Sequence, residues 1–114
     1  MPLASRREQP LTRALEQAGW TIRERHTTPM SHGDVVETDL WRLTSATGQA
    51  ATLLVVSEVG FGAGFPPVLK VLGGDLDVET AKGTDGVEVV ADEPWQQRVQ
   101  DIVDALRRLA GRPT

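Results

Sequence analysis

Apolar residues near the start of the chain recur at helical spacing. The stripe runs from Pro10, a favourable first residue for a helix, to Ala18, and Gly19 follows where a left-handed residue commonly ends a helix. Residues 1–9 carry charge and proline without a period, so we expect a loose arm there. The pattern predicts a short helix over 10–18.

The three stretches that follow have the patterns of β-strands. Residues 20–27 alternate between apolar and polar, as a half-buried strand does. Over 36–44 the neighbouring Leu40 and Trp41 break the alternation, which indicates a bulge or a strand that is apolar on both faces. Residues 51–59 are apolar on both faces, and this stretch is the predicted central strand.

The next part of the chain is less regular. Residues 66–72 fit either one or two helical turns or a short strand, and the pattern does not separate these alternatives. Over 75–81 apolar and mostly acidic residues alternate, and the turn-forming sequence KGTDG at 82–86 leads into the apolar VEVVA at 87–91. We therefore expect a second hairpin here.

The end of the chain has the most regular pattern. Apolar residues recur on one face of a helix: Trp95, Val99, Ile102, Val103, Leu106 and Leu109. Asp92 is suited to the N-cap of this helix, and Gly111 to the residue that ends it. The segment is therefore predicted to be a long amphipathic helix.

Together these elements predict an α+β fold in the order α-β-β-β-(short α or loop)-β-β-α. An antiparallel sheet of about five strands would carry the short first helix and the long last helix on one face, because its apolar face needs a cover. We expect one domain over 10–111 and a tail at 112–114. The order of elements resembles the fold of small secretion chaperones found in some bacteria, a resemblance of topology that carries no function by itself.

The composition narrows the cellular setting. The chain has no cysteine, which excludes disulfides, thiolate metal sites and a cysteine nucleophile and favours a reducing compartment. The longest apolar run, Leu53 to Val56, is far shorter than the roughly 20 residues of a membrane span. Lysine is rare beside arginine, which is typical of a GC-rich bacterial genome. We therefore expect a bacterial cytoplasmic protein with no membrane partner.

Charge is distributed unevenly along the chain. The net charge is −4, and the acidic residues are concentrated between Pro29 and Pro94, whereas the segments before and after this stretch are weakly basic. An acidic middle repels phosphate backbones, and neither end gathers enough positive charge for a row of phosphate contacts. Nucleic acid is therefore not an expected partner.

A glycine-rich loop after the predicted central strand is the sharpest candidate for a binding site. Gly60, Gly62 and Gly64 would let backbone amides approach a ligand closely. Their spacing does not fit a dinucleotide fingerprint, and no phosphate-binding lysine follows. The loop also holds Phe61 and Phe65, the two phenylalanines of the chain. The sequence therefore leaves two alternatives, a connection within the sheet or a contact surface for a partner.

Both histidines lie close to carboxylates in the sequence. His26, His32, Asp34 and Glu37 are the weak candidates for a metal site, because imidazole and carboxylate oxygens can ligate zinc or a harder ion. No helical spacing holds the two histidines together, so we favour solvated surface residues and predict no metal. Acid–base chemistry by either histidine is the remaining alternative.

The three tryptophans lie in or begin apolar faces and are predicted to be core residues. Trp41 is the one that we expect to reach a surface, and it joins the binding candidates.

Two functional hypotheses follow. The first is a protein-interaction module, adaptor- or chaperone-like and able to form a homodimer, that uses a sheet face or edge together with the glycine loop. It is favoured because each candidate catalytic constellation in the sequence lacks a required member, and no cofactor is predicted. The alternative is a small-ligand-binding protein or enzyme with its pocket between the loops at 26–37 and 60–67.

Overall fold

The described part of the chain forms a five-stranded antiparallel sheet with helices on both faces. The structure is a computed structural model and describes residues 5–28, 36–58 and 66–110. The elements are α1 (Ser5–Gln17), β1 (Trp20–Thr28), β2 (Val36–Ser45), β3 (Ala50–Glu58), β4 (Val68–Gly73), α2 (Val78–Gly83), β5 (Val87–Val90) and α3 (Trp95–Ala110). The strand order is β1-β2-β3-β4-β5, so each strand pairs with its neighbour in sequence. The predicted α+β class and the count of about five strands are confirmed.

Strand β3 lies at the centre of the sheet, as predicted. Its Leu53 and Leu54 are both buried, because successive side chains on a strand point to opposite faces. Leu40 and Trp41 of β2 are buried in the same way. Strand β2 is therefore apolar on both faces, and the irregularity in the sheet lies in β1 instead, between Ile22 and Glu24.

The larger core lies between the sheet and the two long helices. We call this side of the sheet the inner face. The core includes Leu11 and Leu15 of α1, Ile102 and Leu106 of α3, and Trp41 of β2, all fully buried. The predicted cover of the sheet by the first and last helices is confirmed.

A hydrogen-bonded junction joins the start of α1 to the start of α3. The indole Nε1 of Trp95 donates to the carbonyl oxygen of Arg7 at 2.9 Å. The guanidinium of Arg7 donates to the carbonyl oxygen of Ala91 and lies over the Trp95 ring. Two segments from opposite ends of the chain are thus fixed together.

A smaller core lies on the opposite, outer face beneath α2. Leu40, Leu54 and Leu72 of three neighbouring strands pack with Ala81 of α2. Asp77 is the N-cap of this helix, and its Oδ1 accepts the amide N–H of Thr80 at 2.8 Å. Short as it is, α2 covers the apolar part of the outer face.

Two predictions about the middle of the chain are resolved by these elements. The open choice over 66–72 is settled in favour of a strand, because β4 pairs with β3 and β5. The strand expected over 75–81 is wrong, since α2 occupies most of this stretch. Val78 and Ala81 lie three residues apart and share one face of the helix, so in a helical turn Ala81 is buried and Val78 partly buried against the outer face.

The ends of the two long helices also differ from the prediction. Helix α1 begins at Ser5, so residues 5–9 belong to a helix and not to a loose arm. Asp92 does not cap α3, because its carboxylate pairs with Arg98. The first amide of α3, that of Trp95, donates to Glu93 Oε2 instead. Gly19 has a φ of +91° after α1, which confirms its predicted left-handed conformation.

Candidate functional site

Strand β5 forms one edge of the sheet and is the surface with the clearest binding geometry. It pairs with β4 on one side, and no other strand in the described part of the chain pairs with its second side. Val87 and Val90 are the most exposed large apolar residues described, at 37% and 39%. Exposed apolar residues on an unpaired strand are typical of a place where another strand can add.

The register shows which backbone groups of β5 face the open edge. The N–H of Ala91 donates to the carbonyl oxygen of Pro67 in the segment before β4, at 2.7 Å. Antiparallel pairs alternate between bonded and non-bonded, so Val89 bonds toward β4 while Glu88 and Val90 direct their N–H and C=O groups outward. The Val90 carbonyl also accepts the N–H of Asp92 at 2.9 Å, which leaves its second lone pair for a partner.

A groove of about 790 Å³ runs beside this edge, between β5 and α3. Its charged lining, apart from Glu88, is Asp92, Arg98, Asp101, Asp104, Arg107 and Arg108. The Asp92 carboxylate accepts a hydrogen bond from Arg98 at 2.6 Å and raises the pKa of that guanidinium. A strand added to β5 would place its inner-face side chains against this mixed row of charges. We call the exposed side of β5 together with this groove the β5 edge.

A second groove, of about 460 Å³, lies on the outer face between β1, β2 and α2. Leu40 and Val78 contribute its apolar lining, and His26 and Lys82 lie among the polar residues around it. Arg42, also in the lining, pairs with Glu24 and Asp75, each at 3.3 Å. The volume suits a small molecule, but the polar residues carry both signs of charge and select no ligand class.

A cluster of polar groups surrounds the buried carboxylates of Glu8 and Asp39 on the inner face, between α1 and the first two strands. Arg25 donates to Glu8 and, at 2.9 Å, to Asp39, and its guanidinium lies 4.2 Å from the centre of the Trp41 ring. Asp39 also accepts from the Trp41 indole at 2.9 Å and from the Thr27 hydroxyl at 3.2 Å. The Asp39 carboxylate therefore accepts three side-chain hydrogen bonds and is 1% exposed, and Arg25 ties this buried group to Glu8 of α1.

The glycine loop predicted as a binding surface lies outside the described residues. This applies to Gly60, Phe61, Gly62, Gly64 and Phe65, and the hypothesis that they contact a partner stays a prediction.

The proposed metal candidates are only partly described. His32 and Asp34 lie outside the described ranges. His26 stands opposite Leu40, and its side chain points to the outer face. Glu37 lies two residues from Asp39 on β2, so its side chain points to the inner face, as that of Asp39 does. These two side chains therefore point to opposite faces and cannot share one ion. In the described ranges no three His, Asp or Glu residues group as metal ligands.

Trp41 does not reach a surface. Its side chain is fully buried in the inner core, with its indole N–H held by Asp39. The expectation that it contributes to a binding surface is wrong, because the neighbouring Leu40 takes the outer face and leaves Trp41 to the core.

The alternative pocket between the loops at 26–37 and 60–67 lies mostly outside the described residues. What the structure does describe is the sheet from which the loops emerge. Val36 pairs with Glu58, and Val56 with Val68, so both loops leave the same end of the sheet. The two connections are therefore adjacent in the topology, as that hypothesis requires.

The sequence did not single out the β5 edge. VEVV was expected to pair with a strand over 75–81, which would have covered one of its sides. The signal against that pairing was local, because Asp77 followed three residues later by Thr80 fits a helix N-cap. With α2 placed on the outer face, β5 pairs with β4 and is the last strand of the sheet as far as the chain is described.

Comparisons with known proteins found no family, no curated protein and no solved structure that matches this chain. Among the described helices, none is both long and apolar enough to cross a membrane.

Proposed function

We propose that this protein is a protein-interaction module that binds an extended segment of its partner as an added strand on the β5 edge. The observation that carries the proposal is the outward direction of the backbone groups of Glu88 and Val90 on a strand with exposed valines. Strand addition of this kind gains affinity from main-chain hydrogen bonds and specificity from alternate side chains.

The two faces of the added strand would meet different surroundings. On the inner face its side chains would lie beside Val87 and beneath the charged row of α3. On the outer face they would lie beside Glu88 and Val90. A segment that alternates apolar and polar residues fits this arrangement, because each face of the edge offers a valine next to charged groups.

The interaction module agrees with the class favoured by the sequence, with a different surface from the glycine loop. An adaptor- or chaperone-like role in the bacterial cytoplasm is part of the proposal. The absence of cysteine and the excess of arginine over lysine support that setting.

The test uses a peptide that copies residues 84–93, TDGVEVVADE, labelled with fluorescein. Its binding to the full chain is measured by fluorescence anisotropy, and we expect saturable binding. Glu88→Pro removes the outward N–H while the N–H groups that bond to β4 remain, so binding should weaken at least tenfold.

The matched control is Glu88→Ala, which removes the carboxylate and keeps the backbone N–H. It should bind the peptide as the parent does. Far-ultraviolet circular dichroism must show that both variants fold. Equal affinity of Glu88→Pro and the parent would refute strand addition at this edge. No binding of the peptide at protein concentrations where the parent is a monomer would refute it as well.

A second candidate function is the binding of a small molecule in the outer-face groove, favoured by its volume and by the apolar Leu40 and Val78. A fragment screen followed by amide chemical shifts tests it. Shifts confined to β1, β2 and α2, and lost in Val78→Asp, would support this function. A screen with no such cluster of shifts would remove it.

A further inference from the structure

We infer that the partner at the β5 edge is a second copy of this chain, paired antiparallel about a two-fold axis that passes between the two Val89 residues. This inference rests on the proposed function, because it takes strand addition at β5 as given and names the occupant. The two sheets would join into one, with the long helices of both copies on the same side.

Symmetry limits the possible registers to a few. A two-fold axis between antiparallel strands stands normal to the sheet and maps the inner face of one copy onto the inner face of the other. Opposite residues in an antiparallel pair point to the same face. The pairing must therefore be centred on one residue of β5, which stands opposite its own counterpart.

Charge selects among these centres. A pairing centred on Glu88 sets two carboxylates directly opposite each other, and one centred on Val90 matches half of the strand with residues 91–93, which lie beyond its end. Opposed like charges destabilise a strand pair. A pairing centred on Val87 matches most of the strand with turn residues 84–86. Only the centre at Val89 pairs strand with strand and leaves each Glu88 opposite a valine.

The same register satisfies the open backbone groups. With Val89 on the axis, Glu88 of each copy stands opposite Val90 of the other, and these are the two residues whose N–H and C=O groups point outward. Each pair can exchange both bonds, since the Val90 carbonyl keeps one lone pair beyond its bond to the Asp92 N–H. The exposed Val90 is covered by the pairing.

The long helix supplies the rest of the contact. A pair of four-residue strands is smaller than the roughly 1,200–2,000 Å² of a stable interface, so α3 must take part. Helix α3 packs mainly over β4, and three strand spacings separate the two β4 strands, so the helices would lie about 14 Å apart. Arginine and aspartate side chains can reach across such a gap.

The charge of the groove also permits self-association. Its three arginines nearly balance its acidic residues, so two chains of net charge −4 would meet through a nearly neutral surface.

The first measurement is the molar mass in solution over a range of protein concentrations, by light scattering after size exclusion. We expect the mass to approach twice 12.4 kDa as concentration rises. Glu88→Pro should remain a monomer at every concentration, whereas Glu88→Ala, which keeps the backbone N–H, should still form a dimer.

The register is tested with two variants of this cysteine-free chain, Glu88→Cys and Val90→Cys. In the proposed pairing these residues face each other across the axis at the ~5.5 Å Cα separation of a bonded pair, which suits a disulfide. In a dimer of two copies of the same variant the cysteine Cα atoms would be about 8 Å apart, which is too far for a disulfide. An oxidised equimolar mixture should form the mixed disulfide at least tenfold faster than either variant alone.

Each outcome supports or removes the inference. A doubled mass together with the mixed disulfide supports it. A chain that stays monomeric while it binds the 84–93 peptide overturns self-pairing and leaves the proposed function standing. Equal disulfide rates alone and in the mixture overturn the register. A chain that neither dimerises nor binds the peptide removes both proposals.

Discussion

Arg25 of β1 and Asp39 of β2 form an ion pair on the face of the sheet that the two long helices cover. The Nη2 atom of Arg25 lies 2.9 Å from Asp39 Oδ2, and the aspartate is almost fully buried while the arginine side chain is 31% exposed. The same guanidinium reaches Glu8 of α1. One cation therefore pairs with two carboxylates from different elements, and the orientation of α1 depends on it.

Removing this cation should destabilise the fold. Arg25→Ala leaves Asp39 buried without its counter-ion, and we expect a loss of about 3 kcal/mol, the low end for broken buried pairs because the arginine is partly exposed. Arg23→Ala, an exposed arginine of the same strand, is the control and should stay within about 0.5 kcal/mol of the parent. Urea denaturation measures both, and equal stabilities would show that the pair is not needed.

Leu106 should be a major contributor to the core. Its side chain is fully buried beneath α3, so Leu106→Ala removes buried surface and leaves a cavity at a cost of about 2–5 kcal/mol. Leu109, one turn later and only partly buried, should cost less when changed to alanine. Thermal and chemical denaturation compare the two variants. A larger loss for Leu109→Ala would contradict the packing of α3 described above.

The cap of α2 should respond to acid. The backbone N–H and the hydroxyl of Thr80 hydrogen-bond Asp77 and lower the pKa of its carboxyl. Because the folded-state pKa is the lower one, the stabilisation is complete above the ordinary aspartate pKa of about 3.9 and is lost as pH falls through the lowered value.

The measurement for this cap is the amide shift of Thr80 during an acid titration. Asp77→Asn keeps an acceptor at the cap and cannot titrate, so its Thr80 amide should stay constant where the parent's moves. If both amides move together, the titration belongs to another group.

Lys70 should hold the end of α2 in place. Its Nζ donates to the carbonyl oxygens of Ala81 and Lys82, at 3.0 and 3.2 Å. Lys70→Met should therefore cost about 1 kcal/mol and speed amide exchange in α2. Lys82→Met is the matched control, since the Lys82 amine makes no hydrogen bond to the part of the chain described, and it should change little. Equal effects would show that the carbonyl contacts contribute nothing.

The long periodic segments could be predicted from the sequence, and the short ones could not. Over 95–110 apolar residues keep one helical face for four turns, and only a helix can bury them together. Over 75–81 the alternating Leu76, Val78 and Thr80 fit a strand equally well in isolation. The N-cap at Asp77 was the local signal for a helix, and the apolar contacts of Val78 and Ala81 with leucines on the outer face, which a local pattern does not contain, decide for it.

The candidate site was missed for the same reason. Which strand lies at the edge of the sheet depends on the strand order. The predicted order included a strand over 75–81 beside β5. Once 78–83 forms α2, Val87 and Val90 are left at the margin of the sheet. The glycine loop, by contrast, was predicted from composition alone, and no contact of the described residues tests it.

The sequential order of the strands has a consequence for how the molecule assembles. Every strand pairs with the one before it, so the sheet can grow hairpin by hairpin through contacts of short sequence separation. The junction of Arg7 with Trp95 instead closes a loop of 88 residues. The entropic cost of closing this loop is small only after the strands between the two residues have formed. Rate measurements on Trp95→Phe should show faster unfolding with little change in the folding rate, which would place the joining of the chain's two ends after the main barrier.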